Sequence, residues 1–160
     1  MRKNSYTLLI YIGAFIAFLL TACDNQTVYS RYLHTAANGW ERNDSLIFLI
    51  PPVPQDGNYT EEIGVRINKD YPFMKLSLVI EQTKLNTQER RKDTLNCVLV
   101  DENGHLLGQG ISRFQYVFNL STLHLQKDDS LHISIRHDMK REMLPGITDI
   151  GVHISKEKKN

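Results

Sequence analysis

Six histidines and two cysteines are the residues of this 160-residue chain best suited to nucleophilic, redox or metal chemistry. His34, His105, His124, His132, His137 and His153 include no pair four residues apart of the H-E-x-x-H kind. His132 and His153 alternate with apolar neighbours, which places them on the outer faces of strands as solvated side chains. His137 and Asp138 are adjacent, so in a strand they point to opposite faces and form no relay. The chain has no G-x-S-x-G, P-loop, G-x-G-x-x-G or C-x-x-C motif. No catalytic residue, metal site or cofactor is therefore expected. Cys97 stands beside Leu95, Val98 and Leu99 and reads as a small buried hydrophobe rather than a reactive thiol.

Cys23 is different. Arg2 and Lys3 open the chain, Thr7 to Leu20 carries no charge, and Leu20-Thr21-Ala22 leads into Cys23. A basic start, a short apolar run and small residues before a cut are the three parts of an export signal. The apolar run covers residues 7–20, short of the roughly 20 residues a spanning helix needs. Leu20-Thr21-Ala22-Cys23 resembles the bacterial lipobox, which implies cleavage before Cys23 and acylation of its thiol. Residues 1–22 are then a signal peptide and residues 23–39 a lipidated N-terminus and tether. Two or three acyl chains anchor a protein stably, whereas one binds reversibly. The expected place is the cell envelope, the outer membrane rather than the inner.

Removing residues 1–22 takes away Arg2 and Lys3 and no acid, so the formal charge moves from +1 to −1. A near-neutral surface gives no reason to expect nucleic acid as a partner. Cys97 is left without an intrachain partner if Cys23 is acylated. The remaining length suits one domain with a real core.

Period-two alternation recurs through that domain. Leu46, Phe48 and Ile50 alternate until Pro51-Pro52; Ile63, Val65 and Ile67 follow, then Leu76, Leu78 and Ile80. Leu95, Cys97 and Leu99 lead into Asp101-Glu102-Asn103-Gly104, a hairpin turn. Phe114, Tyr116, Phe118 and Leu120 make the clearest strand, followed by Leu131, Ile133 and Ile135, then Ile150, Val152 and Ile154. Glu89 to Asp93 reads as a solvated loop. No stretch after the signal keeps a helical apolar stripe, so the expected fold is an all-β antiparallel sandwich of about seven to eight strands. It spans residues 40–155, with a charged tail over 156–160.

The sequence also carries Tyr29 with Tyr32, Gly39-Trp40-Glu41 with Asp44 and Phe48, and Tyr71-Pro72-Phe73. Asp101 to Gly104 with Gly108 and Gly110, His137 to Arg141, Leu144 to Ile147, and Asp149-Ile150-Gly151 complete the set. Together, in this order, they resemble the GldH gliding-motility lipoprotein family of the Bacteroidetes. Members often have Arg where this chain has Lys140, which puts a bidentate arginine contact there in doubt. The resemblance implies a non-enzymatic envelope lipoprotein of the gliding machinery, overlapping with type IX secretion. It would bind other envelope proteins and the membrane through acyl chains on Cys23. Trp40, Asp44, Tyr71, Pro72, Gly104 and Gly151 are family-matched residues for which structural roles are expected. Trp40 could plug the end of the sandwich or offer an exposed aromatic to a partner. His137, Met139, Lys140, Arg141, Met143, Leu144, Pro145 and Gly146 form the candidate interaction loop, because a basic loop that keeps large apolar residues suggests contact.

Two further readings stand beside these. Asp44-Ser45-Leu46, Asp93-Thr94-Leu95 and Asp129-Ser130-Leu131 share one pattern, each expected at a strand start. Local turn chemistry accounts for it, and it also resembles the O-glycosylation signal of exported Bacteroidetes proteins, which would modify Ser45, Thr94 and Ser130. The alternative function is a glycan-binding surface lipoprotein that stacks sugars on Trp40, Tyr59, Tyr71 or Tyr116. That requires two or more of these rings on one open face, and the alternation of Tyr116 with Phe114 and Phe118 argues for the core instead.

Overall fold

The computed structural model describes residues 26–158, so Cys23 and the signal lie outside the described residues. Ten strands follow one another among them: β1 (Thr27–His34), β2 (Trp40–Glu41), β3 (Leu46–Ile50), β4 (Gly57–Asn68), β5 (Lys75–Lys84), β6 (Arg90–Val98), β7 (Arg113–Leu125), β8 (Leu131–His137), β9 (Met143–Leu144) and β10 (Ile147–Lys156). One sheet has the order β1-β10-β4-β7, a second β3-β8-β5-β6, and β2-β9 is a two-residue ribbon. Every pairing is antiparallel. The all-β sandwich expected from alternation is the fold observed, with more strands than expected.

The core forms where the inward sides of the two sheets meet. Ile63, Val65 and Ile67 from β4, and Ile150, Val152 and Ile154 from β10, face Leu76, Leu78 and Ile80 from β5 and Leu131, Ile133 and Ile135 from β8. All are buried, and burying each such side chain contributes about 1.5–3 kcal/mol. Cys97 is fully buried among them, and burial pushes its thiol up to about 12, so it is inert at neutral pH.

Two expectations are corrected. The stretch read as a tether holds β1, which pairs with β10 from Thr27↔Ser155 to His34↔Asp149. It escaped notice because its apolar positions do not alternate: its burial pattern mixes half-buried and exposed residues. The stretch read as a loop at Glu89 to Asp93 is mostly the start of β6, with Arg90, Arg91 and Lys92 paired to Thr83, Gln82 and Glu81. Its charges suit an edge strand, where they oppose pairing with another chain.

One polar group crosses the core. Glu61 of β4 is fully buried, and its carboxylate accepts from Gln82 Nε2 of β5 at 2.9 and 2.8 Å and from Ser121 Oγ of β7 at 3.0 Å. Burial raises its pKa above the usual glutamate range even though these donors oppose the rise.

On the outer face of the first sheet, Gly64 and Gly151 are register partners, and Gly151 also pairs with Tyr32 of β1. The Tyr32 side chain lies across both: a Cβ at Gly64 would come within 2.2 Å of its hydroxyl and 2.6 Å of its ring, and one at Gly151 within 2.7 Å of the ring. Arg66 covers the ring's other face at 3.8 Å from its centre. This covering of strand glycines by an aromatic ring explains why Gly151 is glycine.

Candidate functional site

Strand directions divide the sandwich into two ends. The starts of β1, β4, β6 and β8 and the ends of β3, β5, β7 and β10 share one end, as the pairs Thr27↔Ser155, Gly57↔Leu125, Ile50↔Leu131 and Thr83↔Arg90 require. The opposite end gathers the connections 35–45, 69–74, 99–112 and 138–146. Trp40, Asp44, Tyr71, Pro72, Gly104 and the stretch from His137 to Gly146 converge on this second end, although they are scattered over a hundred positions of chain.

Trp40 closes it. The indole is fully buried, donates from Nε1 to Asp44 O at 3.0 Å, and meets the His137 ring edge-on at 5.3 Å. The plug is thus the role observed, and the exposed-aromatic alternative is not. β2 pairs with β9 through Trp40↔Leu144, which clamps the 138–142 segment against the end of the sandwich. Gly146 has φ of +81°, and a Cβ there would strike the Tyr71 backbone nitrogen at 2.2 Å. Tyr71 is itself buried, donating from its hydroxyl to Lys75 O at 2.8 Å. Pro72 is exposed in the same connection, and Gly104 closes the Asp101 hairpin turn, its N–H bonded to Asp101 O at 3.1 Å.

The candidate interaction loop divides accordingly. His137 and Leu144 are fully buried and cannot meet a partner. His137 ends β8 on its inward side, and Leu144 pairs with Trp40, so alternation carries both inward. Met139 is half-buried, its sulfur taking the Ser77 N–H at 3.4 Å, while Met143, Pro145 and Gly146 are likewise half-buried. Lys140 and Arg141 are exposed. Asp138, also exposed, is flanked by Arg42 at 3.6 Å and Arg136 at 3.8 Å.

A second surface at this end escaped the sequence reading. Leu99 and Val100 N–H groups bond to Met74 O, Leu107 N–H bonds to Leu99 O, and the Tyr116 hydroxyl bonds to the same oxygen at 3.0 Å. The 99–112 connection is thereby fixed, and it holds Leu106, Leu107 and Ile111 outward at 42, 56 and 91% exposure beside exposed Met74 and Val98. Apolar residues held outward by a fixed backbone mark a contact surface. The signal was present as Leu106-Leu107 and Ile111, but nothing local says whether such residues turn in or out.

A third feature is a recess of about 470 Å³ bordered by Asn38, Asp70, Arg113 and Thr148. At its rim, His34 Nδ1 lies 2.5 Å from Asp149 Oδ1, and the Thr148 hydroxyl donates to Asp149 Oδ2 at 2.7 Å. No local pattern pairs His34 with Asp149; the register of β1 against β10 brings the buried carboxylate opposite it.

Trp40, Tyr59, Tyr71 and Tyr116 are all buried and line no open face, so the stacking platform proposed for sugars is absent from these four rings. Of the hydroxyls in the repeated triplet, Thr94 is exposed in the middle of β6 rather than at a strand start, whereas Ser45 and Ser130 are half-buried just before β3 and β8. Among the described residues no three His, Cys, Asp or Glu side chains gather in a way that could hold a metal ion.

The profile of the GldH lipoprotein family matches residues 27–154. The chain is 27% identical to the gliding motility lipoprotein GldH of Flavobacterium johnsoniae, with 97% of this chain and 98% of that one aligned. It is 26% identical to a GldH homolog of Christiangramia forsetii over 96% of this chain and 98% of the relative. The match begins at the first residue of β1 and ends two residues short of the end of β10, so the shared unit is the sandwich itself, and the chain belongs to the GldH lipoprotein family.

Proposed function

We propose that this chain is a non-enzymatic component of the gliding-motility and type IX secretion machinery. Acyl chains on Cys23 hold it in the outer membrane, and it binds other envelope proteins through the end of the sandwich closed by Trp40. The observation that carries this reading is the outward set Leu106, Leu107 and Ile111 on a fixed connection. Lys140 and Arg141 stand exposed on another connection at the same end. Apolar contact supplies affinity and the cations select an acidic rim on the partner.

Capture of native complexes from solubilised envelopes, with the anchor intact, tests it. Wild-type protein should bring down at least one envelope protein, and the Ile111→Asp variant should not. Recovery of the bare protein, or equal recovery by both forms, removes the reading. Fractionation of Cys23→Ser tests the anchor: the variant should leave the membrane fraction.

A further inference from the structure

The end of the sandwich opposite Trp40 also has a partner, and we infer that it is the surface of the bilayer that holds the anchor. The inference rests on acylation at Cys23. Asp24 and Asn25 alone separate that residue from Gln26. Gln26 is already tied into the domain, its carbonyl accepting the Lys156 N–H at 2.8 Å, and Thr27 pairs with Ser155. Three Cα steps extend at most about 11 Å, so the domain has no tether on which to float away from the membrane.

Which part of the domain meets the lipid follows from backbone chemistry. β1 and β3 are the edge strands on the side away from β6 and β7, whose edges the Tyr116 hydroxyl ties together at Leu99 O. Laying that side on the bilayer would press unpaired N–H and C=O groups toward hydrocarbon, where they have no partners. Standing the domain on its anchor end avoids this. The turns there are paired internally: Val53 N–H to Asp129 O, Asp128 N–H to Val53 O, Leu85 N–H to Ser130 O and Gln88 N–H to Lys84 O.

The side chains at that end suit a headgroup layer. Leu85 projects from the β5–β6 turn at 44% exposure, and Pro51, Pro52 and Pro54 are exposed on the β3–β4 connection. Lys84, Arg90, Lys127, Lys156 and Lys158 stand at this end, against Asp56, Glu89, Asp128, Asp129 and Glu157. Charge is therefore nearly balanced, and seating depends on the anchor and the apolar tips rather than on anionic lipid. β4 runs the length of the sandwich over Gly57–Asn68, about 35–40 Å at 3.3 Å per residue. That stands Leu107 and Ile111 well clear of the headgroups, where a protein can reach them.

The experiment uses full-length acylated protein in phosphatidylcholine vesicles that carry a spin-labelled lipid quencher. Separate Leu85→Cys, Ile47→Cys and Ile111→Cys variants are labelled with a fluorophore; Cys97 is buried and stays unlabelled. Strong quenching is expected at position 85, several-fold above that at 111 and at 47. Quenching at 47 that equals or exceeds that at 85 would show the domain lying on its second sheet and overturn the inference. Protein that floats with the vesicles but is unquenched at 85 overturns the seating alone. Protein that fails to float overturns the anchor and the seating with it.

Discussion

His137 and Trp40 are joined twice: the imidazole Nε2 lies 3.2 Å from the Trp40 carbonyl, and the two rings pack edge-on 5.3 Å apart. With Nε2–H donating there, Nδ1 is left to accept the Met139 N–H at 3.4 Å, the pattern of a neutral ring. Burial depresses the imidazole's pKa below its ordinary 6.5, with Arg42 and Arg136 adding to the effect. The ring is neutral in the fold and more easily protonated in the unfolded chain. Its contribution to stability is present above about pH 6.5 and is lost as pH falls through the depressed value. Thermal unfolding followed by Trp40, the only tryptophan, should show stability declining as pH falls below 6.5. His137→Asn should be less stable at neutral pH and flatter across that window; a slope as steep as wild type would contradict this.

Glu61 has the opposite sign. Desolvation raises its pKa, so the folded state prefers the protonated acid, and that contribution is lost as pH rises through the raised value. Glu61→Gln should remove this dependence from pH 4.5 upward while keeping a side chain that Gln82 and Ser121 can bond. Urea denaturation at several pH values reads the slope; an unchanged slope would mean that the carboxyl is not the titrating group.

The glycine track under Tyr32 yields a packing test. Gly151→Val places carbon where the ring lies, with even the first atom 2.7 Å away, and overpacking of this kind costs about 1–3 kcal/mol. Adding Tyr32→Ala should recover part of the loss, a non-additivity that a double-mutant cycle in urea measures. Strict additivity would mean that the ring is not what excludes the side chain.

Leu107→Asp should separate folding from contact. Leu107 is 56% exposed and its backbone N–H, not its side chain, holds the loop. Stability should change by less than about 0.5 kcal/mol, while co-purification of envelope partners falls to background. A variant that unfolds at a markedly lower denaturant concentration would assign the residue to the fold.

The strands that build the core were legible because alternation is local. Ile63-Val65-Ile67 and Leu131-Ile133-Ile135 declare their buried face within five residues. Lys140 and Arg141 are exposed on the 138–146 connection, where their charge keeps them in water. β1 was hidden because one of its large side chains, Tyr32, packs outward onto Gly64 and Gly151, more than thirty and a hundred residues away. His137 and Leu144 looked available because no local pattern foretells that a two-residue ribbon will fold over them.

The sequence by itself determined the alternation that makes a sandwich, the export and acylation signal at the start, and the absence of familiar catalytic motifs. Only the tertiary structure decided that residues from four distant connections meet at one end, that β1 begins directly after the acylation signal, and that Leu106, Leu107 and Ile111 point away from the core. The physical reason is range. Burial period and motif spacing are set by neighbours along the chain, whereas the end at which a loop emerges and the face that a side chain keeps depend on antiparallel pairings, the β1–β10 pairing among them closed across more than a hundred residues.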